Sequence, residues 1–202
     1  MNYGLKYTVP FRTVSEVDCV INLEVEDFVG TPIELIPGAE PIRVEVDTSD
    51  LLSPTRSSTA IISVFGSEYL QDLYAFDPQG VRVTFLVGGA IGWLGYLKHN
   101  AFLQDFSSPN FTYEMEVVAA LSTLKYKEFD LTDDFVTIRE IIAQATIYAG
   151  YEFAYLTNSV RTSTGSYLDL KISSANFYDE LGEAMSYYEA LEEIAKYLGC
   201  CF

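Results

Sequence analysis

Few residues of this chain could do chemistry, and their spacing settles most of what they could do. There is one histidine, His99, so no cluster of imidazoles can hold a metal ion. A Ser-His-Asp arrangement would have to use His99, with Asp105 as its acid. His99 directly follows a predicted hairpin, where an exposed loop histidine is the simpler reading. Cys200 and Cys201 are adjacent, a spacing that suits neither a zinc knuckle nor a redox pair. With Cys19, inside a predicted strand, they read as reduced, packed thiols of a protein made in the cytoplasm.

Carboxylates are the more numerous candidates. Glu114 and Glu116 share one strand face at roughly 7 Å, close to the separation of a glycosidase pair. The same alternation describes the charged outer face of a half-buried strand, which is the preferred reading. Asp130, Asp133 and Asp134 lack the glycine and terminal glutamate of an EF-hand loop, and they precede a predicted helix, where negative charge is favourable. No P-loop is present, and Gly88, Gly89, Gly92 and Gly95 lie inside a hairpin instead of before a helix. Asn110-Phe-Thr112 has the form of a glycosylation sequon, which means little without a secretion signal. The expectation is therefore a protein with no catalytic, cofactor-binding or metal-binding residues, no cofactor and no enzymatic activity of its own.

The overall balance narrows the partners. The net charge is −17, with 12 basic against 29 acidic residues. Nucleic acid and anionic membrane are thereby disfavoured, because both need Lys and Arg to neutralise phosphate. Residues 85 to 97 form the longest apolar stretch, too short and too glycine-rich to span a bilayer. The N-terminus MNYGLKYTVPF lacks the basic and then apolar zones of a signal peptide. Hydrophobic residues make up 49% and charged residues 20%, a globular balance.

The elements that must position these residues are mostly strands. Residues 80 to 98, GVRVTFLVGGAIGWLGYLK, read as a hairpin with Val81, Val83, Phe85 and Val87 on one face. Gly88-Gly89 supplies a two-residue turn in which both positions need a positive φ. That turn predicts Val87 opposite Ala90 and Phe85 opposite Gly92, a ring covering a bare backbone position. Further strands are predicted over residues 3 to 12, 17 to 26, 33 to 36, 59 to 65, 102 to 106 and 111 to 119. Pro10 confines the first to an edge or a strand end, and Pro37-Gly38 is read as a turn. Residues 47 to 57 have loop composition, 67 to 74 fit either a helical turn or an extended edge, and 77 to 80 form a turn. Many short strands at regular spacing predict a β-barrel or sandwich over 1–121.

The pattern then changes. Thr137-Ile-Arg-Glu140 is a capping box, followed by Ile138, Ile141, Ile142, Ala145, Tyr148 and Ala149 at helical spacing and by Gly150 as the left-handed stop. The script recurs 49 residues on. Ser186-Tyr-Tyr-Glu189 precedes Tyr187, Ala190, Leu191, Ile194, Tyr197, Leu198 and Gly199. Each helix is about 18 Å long. Residues 151 to 156 read as a strand, and Cys200-Cys201-Phe202 as the opening of another. The fold class expected is mainly β with a smaller α+β part over 122–202, containing two short capped helices, in a chain that continues beyond Phe202.

Three stretches resemble one family: Asp72-Leu-Tyr-Ala75 with Val81-Arg-Val-Thr-Phe85, then Gly92-Trp-Leu-Gly-Tyr-Leu97, then Tyr113-Glu-Met-Glu-Val-Val-Ala119 with Leu121-Ser-Thr-Leu-Lys125. Together they resemble the N-terminal region of phage and prophage tail proteins related to tail-hub or baseplate-hub components. Here Ala120 and Ser122 stand where that family more often has acidic or glycine residues. The resemblance implies a barrel-like domain that forms a homo-oligomeric ring and docks other tail or baseplate proteins. It also implies synthesis in the bacterial cytoplasm and assembly into the virion tail. Two other readings are the leading module of a tail-associated cell-wall hydrolase, and a carbohydrate-binding β module with Trp93 and Tyr96 as stacking rings.

Overall fold

The computed structural model describes residues 2–47, 57–67, 70–73, 77–98, 110–151 and 165–199. The chain divides into two compact units, one comprising 1–46 and 57–120 and the other 47–56 and 121–202.

The first unit is built on one eight-stranded sheet. Its strands are β1 (Tyr3–Arg12), β2 (Asp18–Glu26), β3 (Ile33–Glu34), β4 (Ile36–Val46), β5 (Ser58–Gly66), β6 (Val81–Val87), β7 (Ala90–Leu97) and β8 (Phe111–Ala119). Their order across the sheet is β3-β1-β2-β6-β7-β8-β5-β4. All neighbours are antiparallel except β1 and β3, so the sheet is mixed. Alternation puts one face of these strands inside. Val9, Ile21, Leu23, Ile62, Val64, Val83, Met115 and Val117 are all buried in one cluster. Strands from both halves of the sheet contribute to it, so the sheet folds over its own core as a sandwich does.

Among the described residues no sheet closes into a barrel, so the sandwich half of the expectation is the one that fits. The edge strands β3 and β4 are nevertheless consecutive in the chain, with only Leu35 between them. Ile33 and Glu34 pair with Tyr7 and Thr8, while Ile36 and Pro37 pair with Phe65 and Val64. Pro37 and Pro41 offer no N–H for a ladder, so the two edges meet without a continuous seam of hydrogen bonds. Pro37-Gly38 is thus not the expected turn. The chain continues as β4 with a register shift, the five steps from Pro37 to Ile42 facing only two on β5, from Val64 to Ile62. Gly38 is needed there because a Cβ would sit 2.3 Å from Ser63 Oγ.

The central hairpin also departs from expectation in its register. Gly88 and Gly89 have φ of 57° and 84°, and Val87 pairs with Ala90 as predicted. The ladder then shifts, and Phe85 lies opposite Trp93 instead of Gly92. Gly92 is the extra residue of a β-bulge. Without it, strand alternation would turn Trp93 to the outer face; with it, Trp93 packs beside Phe85 against the core. The Trp93 ring fills the space over Gly95, where a Cβ would meet both Trp93 Cη2 and the Val118 carbonyl oxygen at 2.3 Å. The undecided stretch after β5 contains a single 3₁₀ turn, Gln71–Leu73, with Leu70 and Leu73 buried.

The second unit holds a two-stranded sheet of β9 (Phe135–Thr137) and β10 (Lys171–Ser173), and helices α1 (Ile138–Tyr148) and α2 (Tyr187–Leu198). Both predicted capping boxes form. Thr137 Oγ1 accepts from the Glu140 backbone N–H at 3.2 Å, and Glu140 accepts from the Thr137 N–H at 2.7 Å. Ser186 and Glu189 repeat this at 3.3 and 2.8 Å. Ile138, Ile141, Ile142 and Ala145 are buried on α1, and Tyr187, Ala190, Leu191 and Ile194 occupy the same relative places on α2. The parallel breaks at the last turn, where Tyr197 is exposed. Gly150 and Gly199 both take positive φ after the helices, as a left-handed stop requires. The strands predicted over 102 to 106 and 200 to 202, and all but Tyr151 of the one predicted over 151 to 156, lie outside the described residues.

Two stability predictions follow from this packing. Gly95→Ala must displace either the indole or the β7–β8 ladder and will destabilise the protein by about 1–3 kcal/mol. Gly92→Ala, whose Cβ would meet Val87 Cγ2 at 3.1 Å, will cost less. Urea midpoints will rank the two, and the emission of the single tryptophan will shift only for Gly95→Ala. Ser186→Ala will cost about 1 kcal/mol through the lost cap. Backbone and side-chain hydrogen bonds from Ser186 hold the Glu189 carboxyl below its usual range, as those from Thr137 do for Glu140. Their contribution is therefore complete above the unfolded value of about 4.3 and fades as pH falls through the lowered folded values. Urea titrations between pH 7 and 3 will show a stability loss that is smaller in Ser186→Ala.

Candidate functional site

Among the described residues, the candidate carboxylates are engaged in structure or exposed on the surface. Glu114 and Glu116 lie on the outer face of β8, opposite Ser63 and Ile61 of β5. Glu116 forms an ion pair with Lys98. Glu114 lines a shallow depression of about 230 Å³ with Glu40, Arg43, Ser63 and Thr112. Arg43 is already bound to Glu45 at 3.0 Å and lies 3.7 Å from Glu40. This is an outer sheet face laced with opposite charges.

In the second unit, Asp130 accepts hydrogen bonds from the hydroxyls of Tyr148 and Tyr187, the latter at 2.7 Å. Burial pushes its carboxyl up, but the two hydroxyls outweigh that and hold it below its usual value. Burial and the same carboxylate raise Tyr187, which keeps its proton as a donor. Around this pair lies an aromatic cluster. Phe129 packs on Phe177, Tyr187 and Tyr178, with centroids 4.5, 5.4 and 6.0 Å away. Backbone bonds from Phe129 N to Met185 O and from Tyr187 N to Lys127 O join the segment before β9 to the start of α2. Asp130 anchors α1 and α2 to that segment. Asp133 and Asp134 stay exposed. Among the described residues, no group of three or more His, Cys, Asp and Glu side chains could hold a metal ion.

A polar constellation in the first unit has no local signal in the sequence. Arg82 meets Glu24 across the β2–β6 ladder in a two-pronged ion pair, Nε to Oε2 at 2.8 Å and Nη2 to Oε1 at 3.1 Å. Thr84 Oγ1 donates to the same carboxylate at 3.0 Å, and the guanidinium lies 4.6 Å above the Tyr3 ring. Tyr96, opposite Arg82 on β7, lies 6.3 Å from Tyr3. The side chains of Arg82 and Glu24 are only 18% and 17% exposed, so removing either one leaves the other as an uncompensated, largely buried charge. A second knot ties the 3₁₀ turn to β1. Asp72 pairs with Lys6 and accepts from the Tyr7 hydroxyl at 3.0 and 2.9 Å.

Tyr96 is 1% exposed and so cannot stack on a sugar, which corrects its assignment as a surface ring. Trp93 is half-buried, with its indole N–H donating to Ser58 Oγ at 3.0 Å and its ring spent on Gly95. Cys19 is buried with a free thiol, as a packing role requires. His99, Asp105, Cys200 and Cys201 lie outside the described residues. No described helix is long and apolar enough to cross a membrane. Arg82→Ala will strand Glu24 and cost about 3 kcal/mol, while Arg82→Ala/Glu24→Ala will cost less than the sum of the single changes; a double-mutant cycle by urea denaturation measures the difference.

Known proteins were compared by sequence and by structure. No family model matches the chain, and no curated protein matches it. Among solved structures, the chain is similar to the crystal structure of prophage MuSo2, 43 kDa tail protein from Shewanella oneidensis, with a TM-score of 0.44 and 15% identity. That likeness covers 88% of this chain and 49% of the other, so the chain spans about half the length of that tail protein.

Proposed function

We propose that the protein is a non-enzymatic structural component of a phage or prophage tail, of the tail-hub or baseplate type, acting through self-assembly and the docking of other tail proteins. The supporting observation is what the residues of the family resemblance do in this fold. Val81–Phe85, Gly92–Leu97 and Tyr113–Ala119 fall on β6, β7 and β8, three adjacent strands of one sheet. Their polar members bind other strands: Arg82 and Thr84 hold Glu24, and Asp72 holds Lys6 and Tyr7. Tyr96 packs beside Tyr3, and Trp93 covers Gly95. A motif spent on joining strands maintains a shape, as a tail component needs. A motif serving catalysis would instead aim polar groups into a common cleft.

The two compact units are proposed as two domains, with the β domain as the assembling part. On this reading, light scattering of the purified protein will give the mass of a closed ring, a trimer or hexamer, and negative-stain imaging will show an annulus. A strict monomer across the concentration range, in this chain and in any longer product of its gene, would remove the reading. Turnover of peptidoglycan would replace it with the hydrolase alternative.

A further inference from the structure

β4 is the long edge of the eight-stranded sheet, and its second half is unguarded. Among the described residues its partner strand is β5 alone, and β1 ends at Arg12. Alternate residues of such an edge direct N–H and C=O groups outward, unpaired. The first half is protected by Pro37 and Pro41; the second, Ile42–Val46, contains no proline. Val44 and Val46 are 39% and 53% exposed, and the side chains of Arg43 and Glu45 are 50% and 61% exposed. One face of this segment is therefore apolar, packed against the core at Ile42 and open at Val44 and Val46, and the other is open and carries one positive and one negative charge.

We propose that this edge pairs with the same edge of a second copy of the chain, antiparallel, about a two-fold axis through Val44. The order of residues selects both partner and register. Directly opposed residues lie on the same face of an antiparallel pair. Centring on Val44 sets Ile42 against Val46 and Val44 against Val44 on the apolar face. On the other face it sets Arg43 against Glu45 twice. Moving the centre to Arg43 or Glu45 puts like charges opposite each other, as does a parallel in-register pairing. The absent N–H of Pro41 ends the ladder, leaving a paired segment of about 17 Å. A contact this short lies at the weak end of protein interfaces, so the dimer is reversible. The argument uses only β4 and does not depend on the tail reading, whose ring contact need not involve Arg43 or Glu45.

The test is a charge swap read by light scattering of the purified chain from about 1 μM to about 1 mM. The expected wild-type result is a concentration-dependent mass that includes pairing of two copies. Arg43→Glu and Glu45→Arg each turn two attractive pairs into two repulsive ones, and each will weaken the pairing roughly tenfold or more. An equimolar mixture of the two variants restores opposite charges at both positions and will recover it, as will the double variant. Both side chains are exposed, so the variants will fold, and matching far-UV circular dichroism will confirm this. Wild-type protein that never pairs, single variants that associate like wild type, or a mixture that stays as weak as its components would each overturn the proposal. A trimeric or hexameric ring indifferent to all four proteins would overturn it while leaving the tail reading standing.

Discussion

The eight-stranded sheet depends on the junction between β7 and β8. Among the described residues these strands pair at Gly95–Ala119, Tyr96–Val118 and Leu97–Val117, with a further backbone bond from Lys98 N to Glu116 O, and this ladder joins the half containing β1, β2 and β6 to the half containing β5 and β4. The junction is possible because Gly95 carries no side chain, which lets the Val118 carbonyl approach where a Cβ would stand. Trp93, two residues earlier on the same face, then fills the space above that gap. The shared core of both halves rests on a glycine and the ring that covers it.

The parts of this design that were legible in the sequence are those set by local rules. The strands 3–12 and 111–119 and both capped helices are readable because alternation, N-caps and stop glycines act over a few residues. The parts that were not legible depend on partners far away in the chain. The bulge at Gly92 obeys the positions of Phe85 and the core, so a simple two-residue turn gave the wrong partner for Phe85. Pro37-Gly38 has the composition of a turn, yet an edge position tolerates the proline and the closeness of Ser63 explains the glycine. Nothing local distinguishes Arg82 from an ordinary outward-facing charge on an alternating strand. Its partners Glu24 and Tyr3 are 58 and 79 residues away, and only the strand order brings them together.

The carboxylates best spaced for catalysis became an ion pair, a surface charge and a clamp for two tyrosine hydroxyls. For Glu116 and Asp130 a neighbouring donor satisfies the group as part of the architecture. Arg82, Thr84 and Asp72 of the family-like stretches follow the same rule, since they meet strands of their own unit.

One consequence follows from the edges β3 and β4 being consecutive. In an ordinary open sheet the two outermost strands can fray separately, like the loose ends of a cloth. Here both are stitched from one thread, with a single residue between the stitch into β1 and the stitch into β5. Tension applied to either border passes through Leu35, whose N–H bonds the Thr8 carbonyl at 2.8 Å, to the other. The sheet therefore resists peeling from its sides, since neither border can loosen without loading the other.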